Sequence, residues 1–126
     1  MTDVLIVDDE VDNAELLRQL LELAGHRVRV AQAGHDALAL LAQAPADVVL
    51  VDLGLPDVDG CELAREIRAR LPSSRIAAVT GRSDEDTRAA ALRAGCDAFI
   101  VKPVRVPQLL ALLDRGAAAV ELPTHE

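Results

Sequence analysis

Residues 48–60, VVLVDLGLPDVDG, decide how the chain folds. Four large apolar residues run without a break and stop at Asp52. Gly54, Pro56 and Gly60 then punctuate a loop that holds two further acids, Asp57 and Asp59. An unbroken apolar run of this length suits a strand covered on both faces, as in a parallel sheet with helices above and below it. The same grammar recurs along the chain. VLIV at 4–7 runs into Asp8 and Asp9, IAAV at 76–79 into Thr80, and FIV at 99–101 into Lys102. The remaining β-rich stretch, HRVRV at 26–30, alternates polar and apolar residues and reads as an exposed edge strand.

Strands are expected at 3–7, 27–31, 47–51, 75–79 and 98–101, with helices between them. Residues 11–24 place Leu16, Leu20 and Leu23 on one face, flanked by Leu17, Leu21 and Ala24, and Gly25 is a natural C-terminal stop. A second helix covers about 35–43 and stops before Pro45, and a third covers 60–71 and stops before Pro72. Ser83 is the expected N-cap of a fourth that ends near Gly95. Pro107 is the expected first residue of a fifth, with a stripe of Leu109, Leu110, Leu112 and Leu113. Strict alternation of strand and helix implies an α/β domain, doubly wound, with a five-stranded parallel sheet. It is expected to occupy residues 1–119, and ELPTHE belongs to a tail at 120–126.

A chain of 126 residues suits one domain and buries roughly two-thirds of its unfolded surface, enough for one proper core. That core must be aliphatic, because Phe99 is the only residue among Phe, Tyr and Trp. The net charge of −8 argues against direct nucleic-acid binding and against anionic membrane surfaces. The sequence has no apolar stretch near the ~18 residues of a membrane span, and MTDVLIVDDE lacks the basic start of a signal peptide. A cytoplasmic location is the expectation. Cys61 and Cys96 form no CxxC pair and are expected as reduced, half-buried thiols. His26, His35 and His125 share no metal-ligand spacing.

In an open α/β sheet, ligands bind outside the carboxyl ends of the strands, at the switch point of the strand order. With a flavodoxin-like order 2-1-3-4-5, Asp8, Asp9 and Asp52 converge there, and Thr80 and Lys102 flank them. Three carboxylates in one place repel, and a hard divalent cation relieves the repulsion. Carboxylates with open water positions suit Mg²⁺. A metal, a lysine and a hydroxyl around one carboxylate form an arrangement that holds a phosphoryl group. Each residue alone has an ordinary structural reading, as a turn acid, a helix cap or a solvated lysine; the joint pattern on four strands carries the inference.

The chain resembles the response-regulator receiver domains of two-component and phosphorelay signalling. The resemblance rests on Asp8-Asp9, the DxxxPxxxG block from Asp52 through Pro56 to Gly60, Thr80 with small Gly81 after it, Phe99, and Lys102-Pro103. It implies that Asp52 accepts a phosphoryl group from a phosphohistidine of a histidine kinase or histidine phosphotransfer protein. It also implies that Asp9, Asp52 and the Gly54 backbone carbonyl bind Mg²⁺, with Asp8 acting directly or through water. Lys102 would pair with the phosphoryl group, and Thr80 would move to hydrogen-bond it. Phe99 would turn inward behind Thr80 and reshape a face recognised by an output protein. A cis peptide at Lys102-Pro103 is a further implication. Such a domain is a switch that phosphorylates itself and slowly loses the group, not a turnover enzyme. Gly54, where relatives often carry a larger side chain, and Arg82, two residues past Thr80, bear on the lifetime of the phosphoryl state.

Other readings are weaker. A haloacid-dehalogenase-type phosphatase needs an acid two residues after the nucleophile, where Gly54 stands. A flavodoxin-like electron carrier needs a phosphate-holding loop after the first strand, where Asp8 and Asp9 would repel it. Within the receiver reading, the alternatives are a module of a hybrid histidine kinase or larger regulator, and a phosphorylation-independent adaptor.

Overall fold

The computed structural model describes residues 2–113 of the chain. Its elements are β1 (Asp3–Val7), α1 (Val11–Leu23), β2 (Arg27–Ala31), α2 (Gly34–Gln43), β3 (Val48–Asp52), α3 (Gly60–Arg70), β4 (Arg75–Thr80), α4 (Glu85–Arg93), β5 (Ala98–Val101) and α5 (Val106–Leu113). The five strands form one sheet in the order β2-β1-β3-β4-β5, all parallel, as the sequence predicts. Residue 119, the tail at 120–126 and His125 lie outside the described residues.

Side chains alternate across a strand, and the two halves of that alternation feed two apolar layers. Leu5, Val7, Val49, Val51, Ile76, Ala78 and Phe99 face α2, α3 and α4, which contribute Ala37, Leu41, Leu63, Ala64, Ile67 and Ala91. Val4, Ile6, Val48, Leu50, Ala77, Val79, Ala98 and Ile100 face α1 and α5, which contribute Ala14, Leu17, Leu21, Leu109, Leu112 and Leu113. Continuous apolar strands are thus explained by helices on both faces. β5 is an edge in hydrogen bonding, like β2, yet Ala98, Phe99 and Ile100 are buried. Its edge position left no mark on its sequence because both its faces are covered.

Several sequence expectations shift. β3 begins at Val48 instead of residue 47 and runs on through Asp52, which pairs with Val79. β4 runs on through Thr80, which pairs with Val101. A backbone ladder continues under polar side chains as long as a neighbour offers partners, so the apolar run ends one residue before the strand does. On α1, the buried positions are Ala14, Leu17 and Leu21, whereas Leu16 is 56% exposed and Leu23 86% exposed. Of the expected Leu16, Leu20 and Leu23 face, Leu20 is half-buried and the other two point outward, while the flanking Leu17 and Leu21 turn to the sheet. α4 is capped by Asp84 and not by Ser83. The Asp84 carboxylate accepts from the Thr87 amide at 3.0 Å and also from its hydroxyl. A carboxylate is a stronger acceptor than a hydroxyl and complements the helix dipole. α5 begins at Val106, one residue before Pro107, and Leu110 on its expected stripe is exposed. Gly25 and Gly95 close α1 and α4 with φ of +95° and +106°, a left-handed stop that other residues adopt with strain.

Candidate functional site

The switch point between β1 and β3 lies where the sequence placed it, and their C-terminal ends present Asp8, Asp9 and Asp52 together. One carboxylate oxygen from each of the three lies within 4.8 Å of the others. Asp8 is 3% exposed and Asp52 7%, while Asp9 faces solvent. Buried carboxylates require donors, and each has them. Asp8 accepts from the Glu10 amide at 2.9 Å through Oδ1 and from the Asn13 side-chain amide at 2.8 Å through Oδ2. Asp52 accepts from the Gly54 amide at 2.8 Å through Oδ1 and from the Lys102 ammonium at 2.9 Å through Oδ2.

Lys102 arrives from the end of β5, where its amide donates to the Thr80 carbonyl at 2.8 Å and the following Lys102-Pro103 bond is cis, as the resemblance implied. Partial burial pushes the Lys102 ammonium down, but the hydrogen bond and charge of Asp52, joined by Asp8 and Glu10, outweigh that effect. The group is held above its ordinary value. Three carboxylates still face one ammonium. Oxygen ligands, surplus negative charge and an open side fit a hard divalent cation, and Asp8, Asp9 and Asp52 are the residues that could hold it.

Thr80 is buried at the end of β4, and its hydroxyl oxygen accepts from the Arg82 amide at 3.1 Å. Thr80, Asp9, Asp52, Gly54 and Lys102 all line one open cavity of about 930 Å³, with Arg82, Asp84 and Asp86 on its α4 side. Arg82 is extended toward Asp84, Nε to Oδ1 at 3.0 Å. The Asp84 carboxyl is held at about 2, chiefly by the Thr87 hydroxyl and then by the Thr87 amide. Phe99 does not line the cavity. It is 1% exposed and belongs to the apolar layer shared with α4.

The loop after Asp52 is built by close approaches. A Cβ on Gly60 would lie 2.5 Å from the Leu53 Cα and 3.0 Å from the Asp52 carbonyl oxygen, so only glycine lets α3 start there. Gly54 is different: a Cβ there would meet Asp52 Oδ1 at an ordinary 3.5 Å. Its missing side chain opens the cavity and relieves no clash. Asp59 caps α3 through the Cys61 amide at 2.8 Å. Cys96 is fully buried instead of half-buried, and burial pushes its thiol up to about 12; Cys61 is also raised by burial.

Sequence reasoning missed Asn13. It stands five residues after Asp8 in the first turn of α1, where a side chain reaches back to the strand end. That spacing was the available signal. It also gave no partner to Asp57, whose carboxylate reaches α2.

Comparison with known proteins agrees with this geometry. The family model described as the response regulator receiver domain matches residues 4–114. The transcriptional regulatory protein KdpE of Mycobacterium tuberculosis is 37% identical over 126 aligned residues, covering 97% of this chain and 55% of the relative. ZraR of Salmonella typhimurium, also a transcriptional regulatory protein, is 35% identical over 116 residues, 92% of this chain and 26% of the relative. The chain thus spans about a quarter of one relative and about half of the other. Among solved structures, a CheY-like receiver domain protein from Methanospirillum hungatei JF-1 superposes with a TM-score of 0.85 at 32% identity, covering 90% of each chain. A response regulator from Burkholderia pseudomallei, solved with a phosphorylated aspartic acid, calcium ion and citrate, gives 0.86 at 31% identity over 93% of this chain and 69% of that one. With five parallel strands in the matching order and an acid cluster at their switch point, the chain belongs to the response regulator receiver domain family.

Proposed function

We propose that the domain, extending to about residue 119, is a phosphorylation-dependent switch with Asp52 as phosphoacceptor. The observation that carries this reading is the convergence of Asp8, Asp9 and Asp52 within 4.8 Å, with Lys102 bonded to the buried Asp52. An Asp52 carboxylate oxygen attacks the phosphorus of a phosphohistidine. The new P–O bond forms as the P–N bond breaks, and the imidazole leaves with its electron pair and takes up a proton. Asp8, Asp9, Asp52 and the Gly54 carbonyl would hold Mg²⁺, which supplies charge neutralisation to the phosphoryl oxygens when bound. Lys102 offers a second cation at the same place. Thr80 can exchange its bond with the Arg82 amide for one to a phosphoryl oxygen.

The donor would be a histidine kinase or a histidine phosphotransfer protein, because the open cavity admits a side chain from a partner. In this reading the domain is a phosphoacceptor and not a turnover enzyme: Asp52 takes the group, and Lys102, Thr80 and the neighbouring acids are suited to hold it together with a cation. The output is read by another protein or by another part of a longer chain. The two relatives named as transcriptional regulators support a regulatory output.

The test is direct. Incubated with Mg²⁺ and a small-molecule phosphodonor such as acetyl phosphate, the protein is expected to gain about 80 Da, the mass of one phosphoryl group. The gain should vanish in Asp52→Asn and when Mg²⁺ is chelated. An adduct that forms equally well on Asp52→Asn would overturn the assignment.

A further inference from the structure

The loop that leaves β3 carries an acid, Asp57, that the carboxylate cluster does not use. Its Oδ1 accepts from the Gly34 amide at 3.0 Å, and its Oδ2 accepts from the His35 amide at 3.2 Å. The His35 ring Nδ1 lies 2.7 Å from the same Oδ2. These are the first two amides of α2, whose own N-cap is Ala33, a residue with no acceptor side chain. The cap of α2 therefore comes from 23 residues further along the chain. Both amides help to hold the Asp57 carboxyl below its ordinary value, that of Gly34 most strongly.

A second observation ties the same two pieces together. A Cβ on Gly34 would lie 2.4 Å from Val58 Cγ2 and 3.3 Å from Cγ1. Val58 is β-branched and stiff, so the loop can seat against α2 only over a glycine. The loop is thus held at three places. Near its start, the Gly54 amide is bonded to Asp52; at its end, Asp59 caps α3; in between, Asp57 and Val58 clamp it to α2. Between Gly54 and Asp57 lie only Leu55, which is buried, and Pro56, whose φ is fixed. Little slack remains to absorb a shift at Asp57 before it reaches Gly54.

We propose that Asp57 is a positioning residue for the metal-binding loop: by fastening the loop to α2, it sets where the Gly54 backbone stands over Asp52. This rests on the receiver reading above. Asp57 touches neither the phosphoacceptor nor a cation; it acts through the loop backbone.

The probe is Mg²⁺ alone, titrated into the protein without phosphodonor, with the dissociation constant read by calorimetry and the amide resonances by NMR. Asp57→Ala is expected to weaken Mg²⁺ binding about tenfold, the usual scale for losing a support behind a metal ligand, and to move the Gly54 amide resonance. Asp57→Asn, which keeps one acceptor oxygen, should fall between Asp57→Ala and wild type. His35→Ala, which keeps both amide bonds, should change binding less than about twofold, as for an exposed pair. If Asp57→Ala does not fold, Asp57→Asn decides alone. Wild-type Mg²⁺ affinity and an unmoved Gly54 resonance in the folded Asp57 variants would overturn the proposal and reduce Asp57 to a helix cap. A wild-type protein that binds no Mg²⁺ would overturn the receiver reading as well, so the two failures are distinguishable.

Discussion

At the scale of single residues, the site is governed by how a buried carboxylate is satisfied. Asp52 has a donor on each oxygen, one fixed by its own loop and one on a lysine 50 residues away. The lysine bond has a definite pH signature. The ordinary value for Lys102 is 10.5, and its folded value is raised. The stabilisation from this shift is therefore fully present below pH 10.5 and is lost as pH rises through the higher folded value. Alkaline titration should show wild type losing more stability in that window than Lys102→Met, which lacks the ammonium and keeps only the loss that the raised Cys61 and Cys96 thiols impose on both. A wild-type protein whose alkaline melting curve parallels that of Lys102→Met would contradict the pairing. The convergence of Asp8, Asp9, Asp52, Thr80 and Lys102 was legible in the sequence because each stands where an apolar run ends. Asn13 and Asp57 were not, because their partners are set by where helices start in space.

At the scale of elements, α4 is the segment best suited to move. Within it only Ala91 is fully buried, and its one large apolar side chain, Leu92, is 40% exposed. A helix anchored by so little apolar area costs little to displace. Its N-terminus also sits beside the cavity, where Arg82 and Asp84 line the wall that Thr80 approaches. Phe99 is already buried, so a change after phosphorylation is expected to run through Thr80 and the Arg82 backbone to the start of α4. Backbone relaxation dispersion is expected to show α4 resonances that exchange in the free protein and shift when a phosphoryl mimic is bound, with α3 as the quiet reference. Unchanged α4 signals in both states would reject this route. The cap of α4 moved from Ser83 to Asp84 because two acceptor oxygens serve Thr87 better than one hydroxyl.

At the scale of the whole molecule, one sheet separates two aliphatic layers, and the side facing α3 and α4 holds the one phenylalanine. Phe99 is the largest fully buried side chain among the described residues. Phe99→Ala is expected to cost about 3–5 kcal/mol, a large share of the roughly 5–15 kcal/mol that holds a domain folded. Urea unfolding followed by far-UV circular dichroism would measure it, since the chain has no tryptophan or tyrosine to report by fluorescence. A loss below about 1 kcal/mol would mean that the alanines around the ring collapse into the space it leaves. What the sequence by itself determined is the alternation of strand and helix, the doubly covered sheet and the acids, hydroxyl and lysine at its strand ends. These follow from local rules: period, capping and the point at which an apolar run stops. What only the tertiary structure decided is which leucines of α1 face inward, that β5 forms the second edge, that Phe99 is buried in the layer shared with α4, and that Asp57 fastens the loop after Asp52 to α2. Each of these depends on a partner far away in the chain, and no local pattern records which neighbour a residue will meet.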